Sequence, residues 1–164
     1  METVEQYRRW YEYEQDAHEE VMAALETVPA SKRTNPEFAR AVDLLAHIAA
    51  ARRLWLFRIG AIPAGPRDLF PKHTALEQVH RDLADIQDAW GMYLEHLDGE
   101  ELGREFTYRS IEGPAFRNTV EDILTQLFGH SWYHRGQIAA CVRAVGGEPA
   151  LTDFVFWSRE PAED

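Results

Sequence analysis

The feature that most constrains the fold is a long amphipathic segment near the end of the sequence, residues 119–145. Its apolar residues recur at the spacing of one helix face, and Gly146 and Gly147 follow as a stop signal. Thr119 is suited to cap the first turn, with Asp122 three residues later as its partner. The apolar positions are Val120, Ile123, Leu124, Leu127, Ile138, Cys141, Val142 and Val145. Such a face must be covered, so we predict a helix that packs against others.

Two histidines, His130 and His134, lie on the buried side of this predicted helix, four residues apart. Neighbours at this spacing have Cβ atoms about 5–6 Å apart. Two imidazoles can therefore reach the same metal ion, at about 2.0–2.1 Å each. Because polar groups on a buried face need a partner, the pair indicates either metal binding or internal hydrogen bonds.

Three other stretches show the same helical periodicity, at residues 4–27, 36–59 and 74–97. The link between the first two is short and predicts antiparallel neighbours. The link at residues 60–73 is rich in glycine and proline and long enough to cross the end of a bundle. Thr74 is a candidate cap for the third helix.

A short alternating stretch at residues 104–110 and a possible return strand at 115–117 predict a small β-hairpin before the last helix. The sequence therefore favours an all-α four-helix bundle that carries this hairpin. We expect residues 1–164 to form one domain, with disorder from about residue 160. The apolar tail before residue 160 is expected to pack along the bundle or at a subunit interface.

A third histidine, His47, lies on the apolar face of the second predicted helix. A lone histidine there is more often a core residue than a ligand, but the pair on the last helix strengthens the metal interpretation. Three neutral imidazoles leave a coordination position for water or substrate, which is typical of catalytic sites. His80 and His96 fall off the apolar faces, so we expect them in solvent.

Composition excludes some functions. The net charge is −11, with 28 acidic against 17 basic residues, which argues against binding to nucleic acid or to an anionic membrane. No apolar run approaches the roughly 20 residues of a membrane span. Cys141 is the single cysteine, so no internal disulfide forms. Together with an acidic start that lacks signal-peptide features, this favours the cytoplasm.

The run Gly-His-Ser-Trp-Tyr-His-Arg-Gly-Gln-Ile at residues 129–138, the segment 143–154 and His47 resemble the DinB family, a superfamily of metalloproteins that includes the YfiT-like proteins. The resemblance covers essentially the whole chain. It implies an up-down-down-up bundle, one divalent ion, most often nickel or zinc, on His47, His130 and His134, and a homodimer.

Relatives in this superfamily include transferases and isomerases that use low-molecular-weight thiols such as bacillithiol and mycothiol. The resemblance therefore implies a divalent-metal-dependent enzyme with a small-molecule substrate, and a thiol-dependent S-transferase as its specific form. The alternatives are a metal-dependent hydrolase and a non-catalytic metal-binding module in a stress response. The sequence does not identify catalytic residues, the metal, the thiol or the substrate.

The sequence departs from the family pattern on the first helix, where an asparagine-containing run is replaced by Tyr13-Glu14-Gln15-Asp16-Ala17-His18. Glu14 and His18 interrupt the apolar face, so they are either exposed at a bundle end or facing a polar pocket near the metal. As a fourth ligand, either side chain would close the site. Gln137, one turn after His134, is a candidate to hydrogen-bond a ligand or bound water, or else serves in packing.

Overall fold

Four long helices make up most of the protein, at nearly the positions that the apolar periodicity predicts. The computed structural model describes residues 3–162. The helices are α1 (Thr3–Glu26), α2 (Pro36–Arg58), α3 (Leu76–Glu95), α4 (Gly99–Gly103), α5 (Val120–Ala144) and α6 (Phe154–Ser158), with strands β1 (Glu105–Arg109) and β2 (Ala115–Thr119). The two strands pair as an antiparallel hairpin directly before α5, which confirms the predicted all-α bundle with a small hairpin.

Local sequence signals explain most of the helix ends. Thr119 and Asp122 form the predicted capping box at the start of α5. At its other end, Gly146 has φ +80°, a left-handed conformation that suits glycine. The predicted cap of α3 is wrong, because the helix begins only at Leu76 and Thr74 remains in the preceding loop. There the Thr74 backbone N–H faces the carboxylate of Asp43 on α2.

The order of contacts along each pair of long helices fixes their directions. Contacts between α1 and α3, and between α2 and α5, run in opposite chain directions, whereas those of α2 with α3 and of α1 with α5 run in the same direction. α1 contacts α3 through Arg8–Leu94 and Tyr11–Gln87, and α2 contacts α5 through Glu37–Cys141 and His47–His130. α2 contacts α3 through Arg52–Trp90 and the loop residue two positions before α3 through Asp43–Thr74, and α1 contacts α5 through Tyr7–Thr125 and Glu14–Arg135. The bundle is therefore up-down-down-up.

The apolar faces of the long helices meet in one core, and the hairpin closes one end of it. Phe106 of β1 is buried in this core. The short helix α4, which the apolar periodicity does not predict, precedes the hairpin. Asp98 caps it by accepting a hydrogen bond from the Glu101 backbone N–H at 2.8 Å. Within residues 3–162, no helix has the length and apolar character needed to cross a membrane.

The C-terminal segment packs against α1 through aromatic contacts. The ring of Tyr13 lies 5.0 Å from that of Phe154 and 5.8 Å from that of Trp157, measured between centroids. The apolar tail therefore packs along the bundle, which is one of the two arrangements expected from the sequence. Residues 160–162 have no regular secondary structure, and 163–164, which belong to the tail predicted to be disordered, lie outside the described residues.

Candidate metal centre

Three histidines from α2 and α5 converge at one point on the side of the bundle. His47, His130 and His134 each offer a ring nitrogen, and these atoms all lie within 4.8 Å of one another. The Nε2 atoms of His47 and His130 are 3.1 Å apart. Each of the three side chains is partly exposed, so a small molecule can reach the cluster from solvent.

Hydrogen bonds fix the orientation of two of the rings. His47 Nδ1 lies 2.6 Å from the Leu69 carbonyl oxygen, and His134 Nδ1 lies 2.8 Å from Gln137 Oε1. Because both oxygens can only accept, both Nδ1 atoms must donate, and in the neutral form of each ring Nε2 then has a free lone pair. Histidines that bind metals are typically held in this way through their second nitrogen.

The geometry fits a metal ion. Two nitrogens at about 2.0–2.1 Å from one ion are separated by about 2.8–3.4 Å for bond angles between roughly 90° and 110°. The observed 3.1 Å between the Nε2 atoms of His47 and His130 falls in this interval. The same contact also suits a hydrogen bond from His130 to His47 in metal-free protein, but the approach of His134 as a third donor favours the ion.

The histidine environment favours the neutral imidazoles that a metal requires. Burial, together with the neighbouring His134 and His47, lowers the pKa of His130 to about 4. Burial also lowers the pKa of His134, although its hydrogen bond with Gln137 acts in the opposite direction. Both rings are therefore uncharged near pH 7, so an ion would not have to compete with the extra proton of a charged imidazolium.

A cleft of about 370 Å³ begins at the histidine cluster and runs towards the hairpin. His47 and His130 form one end of it. The remainder is lined by residues of α2, α5, the hairpin and the loop between α2 and α3: Ala51, Leu54, Trp55, Arg58, Leu69, Tyr108, Ser110, Ile111, Glu112, Phe116 and Gln126. Its volume lies in the range of small-molecule sites in proteins, about 300–1,000 Å³.

The polar residues of α1 form a buried network instead of lying exposed at a bundle end. Glu14 is 4% exposed and forms ion pairs with Arg52 of α2 and with Arg135 of α5, the latter at 3.3 Å. Arg135 also donates to the Tyr13 hydroxyl at 2.9 Å, and that hydroxyl donates to the Thr152 carbonyl oxygen. The interpretation of Glu14 as exposed is thus wrong.

His18 belongs to the same buried region. Its side chain is 1% exposed, and neither ring nitrogen has a hydrogen-bond partner within the described residues. Burial, with the nearby charges of Arg52 and Arg135, lowers its pKa well below the usual value. Neither His18 nor Glu14 belongs to the group of ligand atoms formed by the three histidines.

Several residues around the site were missed by sequence reasoning. Arg52 follows the apolar face of α2 four residues after Ile48, and a charge at that position signals a buried partner, which is Glu14. No comparable signal marks Leu69, whose backbone oxygen contacts His47, or Phe70, whose ring stacks on His47 at 4.9 Å. Both lie in a loop whose path a periodicity cannot specify.

Gln137, Cys141 and the two histidines predicted to face solvent lie where their sequence positions suggested. Gln137 contacts His134, as described above. Cys141 is buried in the core and its thiol faces Glu37 Oε2 at 3.3 Å. His80 and His96 are exposed, which confirms their prediction as solvent-facing residues.

Comparison with known proteins agrees with this architecture. A family model described as the DinB family matches residues 1–163. No curated protein and no solved structure matches the chain. Because the family match spans essentially the whole sequence, and the three histidines that resembled the family motif lie together in the structure, the chain belongs to the DinB family.

Proposed function

We propose that this protein is a divalent-metal-dependent enzyme whose ion is held by His47, His130 and His134. The observation that carries this proposal is the convergence of three imidazoles, two of which have their Nδ1 atoms tied to oxygen acceptors. Three neutral nitrogen donors suit nickel and zinc, between which availability and geometry decide.

The site keeps room for a substrate. Glu14, the carboxylate that the sequence offered as a fourth ligand, is held by Arg52 and Arg135 and is not free to approach the histidines. A three-ligand site with an adjacent cleft is typical of catalytic centres, whereas structural ions are enclosed by four protein ligands.

When bound, such an ion supplies Lewis acidity that lowers the pKa of a coordinated thiol or water. Within this class we propose S-transfer from a low-molecular-weight thiol to an electrophile. The residues of the chain would orient the reactants: Gln137 and the Leu69 carbonyl hold the ligand rings, and the cleft beside them would position the acceptor.

A screen of the nickel- and zinc-loaded protein tests this function. Cysteine, glutathione, bacillithiol and mycothiol would each be supplied with 1-chloro-2,4-dinitrobenzene, and 4-nitrophenyl acetate without thiol would test hydrolysis. We expect thiol-dependent turnover that the His134→Ala variant lacks. Ester hydrolysis alone would favour the hydrolase, and metal binding without any turnover would favour the non-catalytic module.

We further propose that residues 1–164 act as one domain in a homodimer located in the cytoplasm, with a small-molecule substrate as the main partner. Exposed apolar side chains such as Trp132, Tyr133 and Phe156 support a subunit contact. The single, buried Cys141 fits a reducing compartment. Analytical ultracentrifugation over a range of concentrations tests the dimer, and a monomer throughout that range would contradict it.

A further inference from the structure

The cleft beside the three histidines contains a cation in an unusual setting. Arg58 lies in the last turn of α2, with its guanidinium 4.7 Å from the ring centre of Trp55 and 4.6 Å from that of Tyr108. One of its nitrogens donates to the Arg109 carbonyl oxygen at 2.8 Å. Two aromatic rings and one hydrogen bond therefore hold the guanidinium in place against the hairpin.

This guanidinium has donors to spare. Among residues 3–162, no carboxylate lies within 4.0 Å of Arg58, although acidic residues outnumber basic ones in the chain. A guanidinium carries five N–H donors in a planar fork, of which the structure uses one. A cation at the end of a helix is favoured by the helix dipole, but the dipole does not explain why it faces a cleft.

A second unsatisfied polar group lines the same cleft. The Ser110 hydroxyl oxygen is buried and has no hydrogen-bond partner within the described residues. The acidic residue of the lining, Glu112, is exposed on the hairpin turn, where solvent and salt screen its charge. The hairpin end of the cleft thus combines a fixed cation, a free hydroxyl and aromatic walls.

We propose that this end of the cleft binds the carboxylate of an elongated organic acid, with Arg58 as its principal partner. Trp55, Tyr108 and Phe116 supply the apolar and aromatic surface for the body of that molecule. The inference rests on the proposed function in one respect, since the end of the ligand opposite its carboxylate would lie at the three histidines.

The length of the cleft limits the size of the ligand. His47 and Arg58 are eleven residues apart on one helix, which corresponds to about 16 Å between their Cα atoms. The two side chains shorten this distance, but a two-carbon acid such as acetate cannot fill it. A carboxylate separated from the opposite end by an aromatic or short aliphatic body fits both the length and the aromatic walls.

Titration of the ¹⁵N-labelled 164-residue chain with 4-phenylbutyrate and with the uncharged 4-phenylbutan-1-ol tests the inference. The Trp55 indole N–H reports binding in the cleft. We expect the acid to bind about tenfold more tightly than the alcohol, because a charge-assisted bidentate contact is lost in the alcohol. Arg58→Gln should abolish this preference.

Arg143→Gln is the matched control, because it removes the same charge from an exposed position at the end of α5. It should keep the tenfold preference. Equal affinity of acid and alcohol in the wild-type protein, no shift at Trp55, or an equal loss in both variants would each overturn the proposal. The wild-type comparison retains its force even if Arg58→Gln fails to fold.

The two proposals fail separately in this design. Titrations are run on metal-free protein and again after loading with zinc, with the zinc content of each sample measured. A protein that prefers the acid but takes up no zinc would contradict the proposed function and support the carboxylate site. A protein that takes up zinc but does not distinguish acid from alcohol would contradict the carboxylate site and leave the proposed metal centre supported.

Discussion

Glu14 is the anionic centre of a buried ion network, so neutralising it should cost much of the protein's stability. Its carboxylate pairs with Arg52 and Arg135, and all three residues are at most 4% exposed. Glu14→Gln leaves two buried guanidinium groups without a counter-charge. Breaking a buried ion pair by removing one partner costs about 3–5 kcal/mol, a large part of the ~5–15 kcal/mol that stabilises a typical domain.

Urea unfolding followed by circular dichroism at 222 nm measures this loss as a lower midpoint with an unchanged slope. Glu20→Gln is the matched control, because Glu20 is exposed on the same helix and its substitution should leave the midpoint unchanged. Replacing Glu14, Arg52 and Arg135 together by methionine should recover most of the loss, since the whole charged network is then removed.

Metal content gives a second, independent reading of Glu14→Gln. Because Glu14 is tied to the arginines, the variant should bind as much metal as the parent. A variant that keeps its stability within about 1 kcal/mol would refute the network as a determinant of stability. A variant that stays stable but loses its metal would make Glu14 a ligand.

Three further changes test the surroundings of the site. Gln137→Ala should weaken metal binding by about 10–100-fold without unfolding the protein, because His134 loses the acceptor of its Nδ1–H. Competition with a chromophoric chelator measures the metal affinity. An unchanged affinity would mean that Gln137 serves only in packing. His18→Leu should unfold no more easily than the parent at pH 7.5, because it removes two unpartnered buried nitrogens. The same variant should lose less stability on acidification: the pKa of His18 is lowered in the folded state, so below about pH 6.5 the unfolded chain takes up the proton and the parent is destabilised as the pH falls. Urea midpoints of parent and variant at pH 7.5 and 5.0 check both statements, and parallel changes with pH would contradict the second. His96→Ala should leave metal content unchanged, because His96 is exposed directly after α3 and is not one of the three clustered histidines.

The four long helices could be predicted because several independent sequence signals mark each of them. On α5, for example, the apolar spacing, the capping box of Thr119 and Asp122 and the closing glycines all point to the same segment. The direction of α3 was less accessible, since periodicity defines a face but not the path of the connecting loop. The resemblance to the DinB family supplied that direction. The contact of Arg52 with Trp90 confirms it, together with that of Asp43 with Thr74 just before α3.

The three histidines were found because each lies on an apolar helix face, where a polar side chain requires an explanation. Glu14 and His18 stood out for the same reason, but the sequence left their environment open. The deciding partner was Arg52 on another helix, and pairing between helices depends on their relative rotation and shift. The contact between His47 and the Leu69 carbonyl could not be predicted from the sequence, because a backbone oxygen in a loop has no sequence signature.

The most direct test of the metal centre is to measure the metal content of the protein. The protein is purified for this purpose without a polyhistidine tag and without added metal. Parent and His134→Ala would be analysed side by side, with circular dichroism to confirm that both remain helical. We expect about one divalent ion, nickel or zinc, per parent chain and none in the variant. Equal metal content in the two proteins, or no metal in the parent even after dialysis against nickel and zinc, would contradict the metal centre.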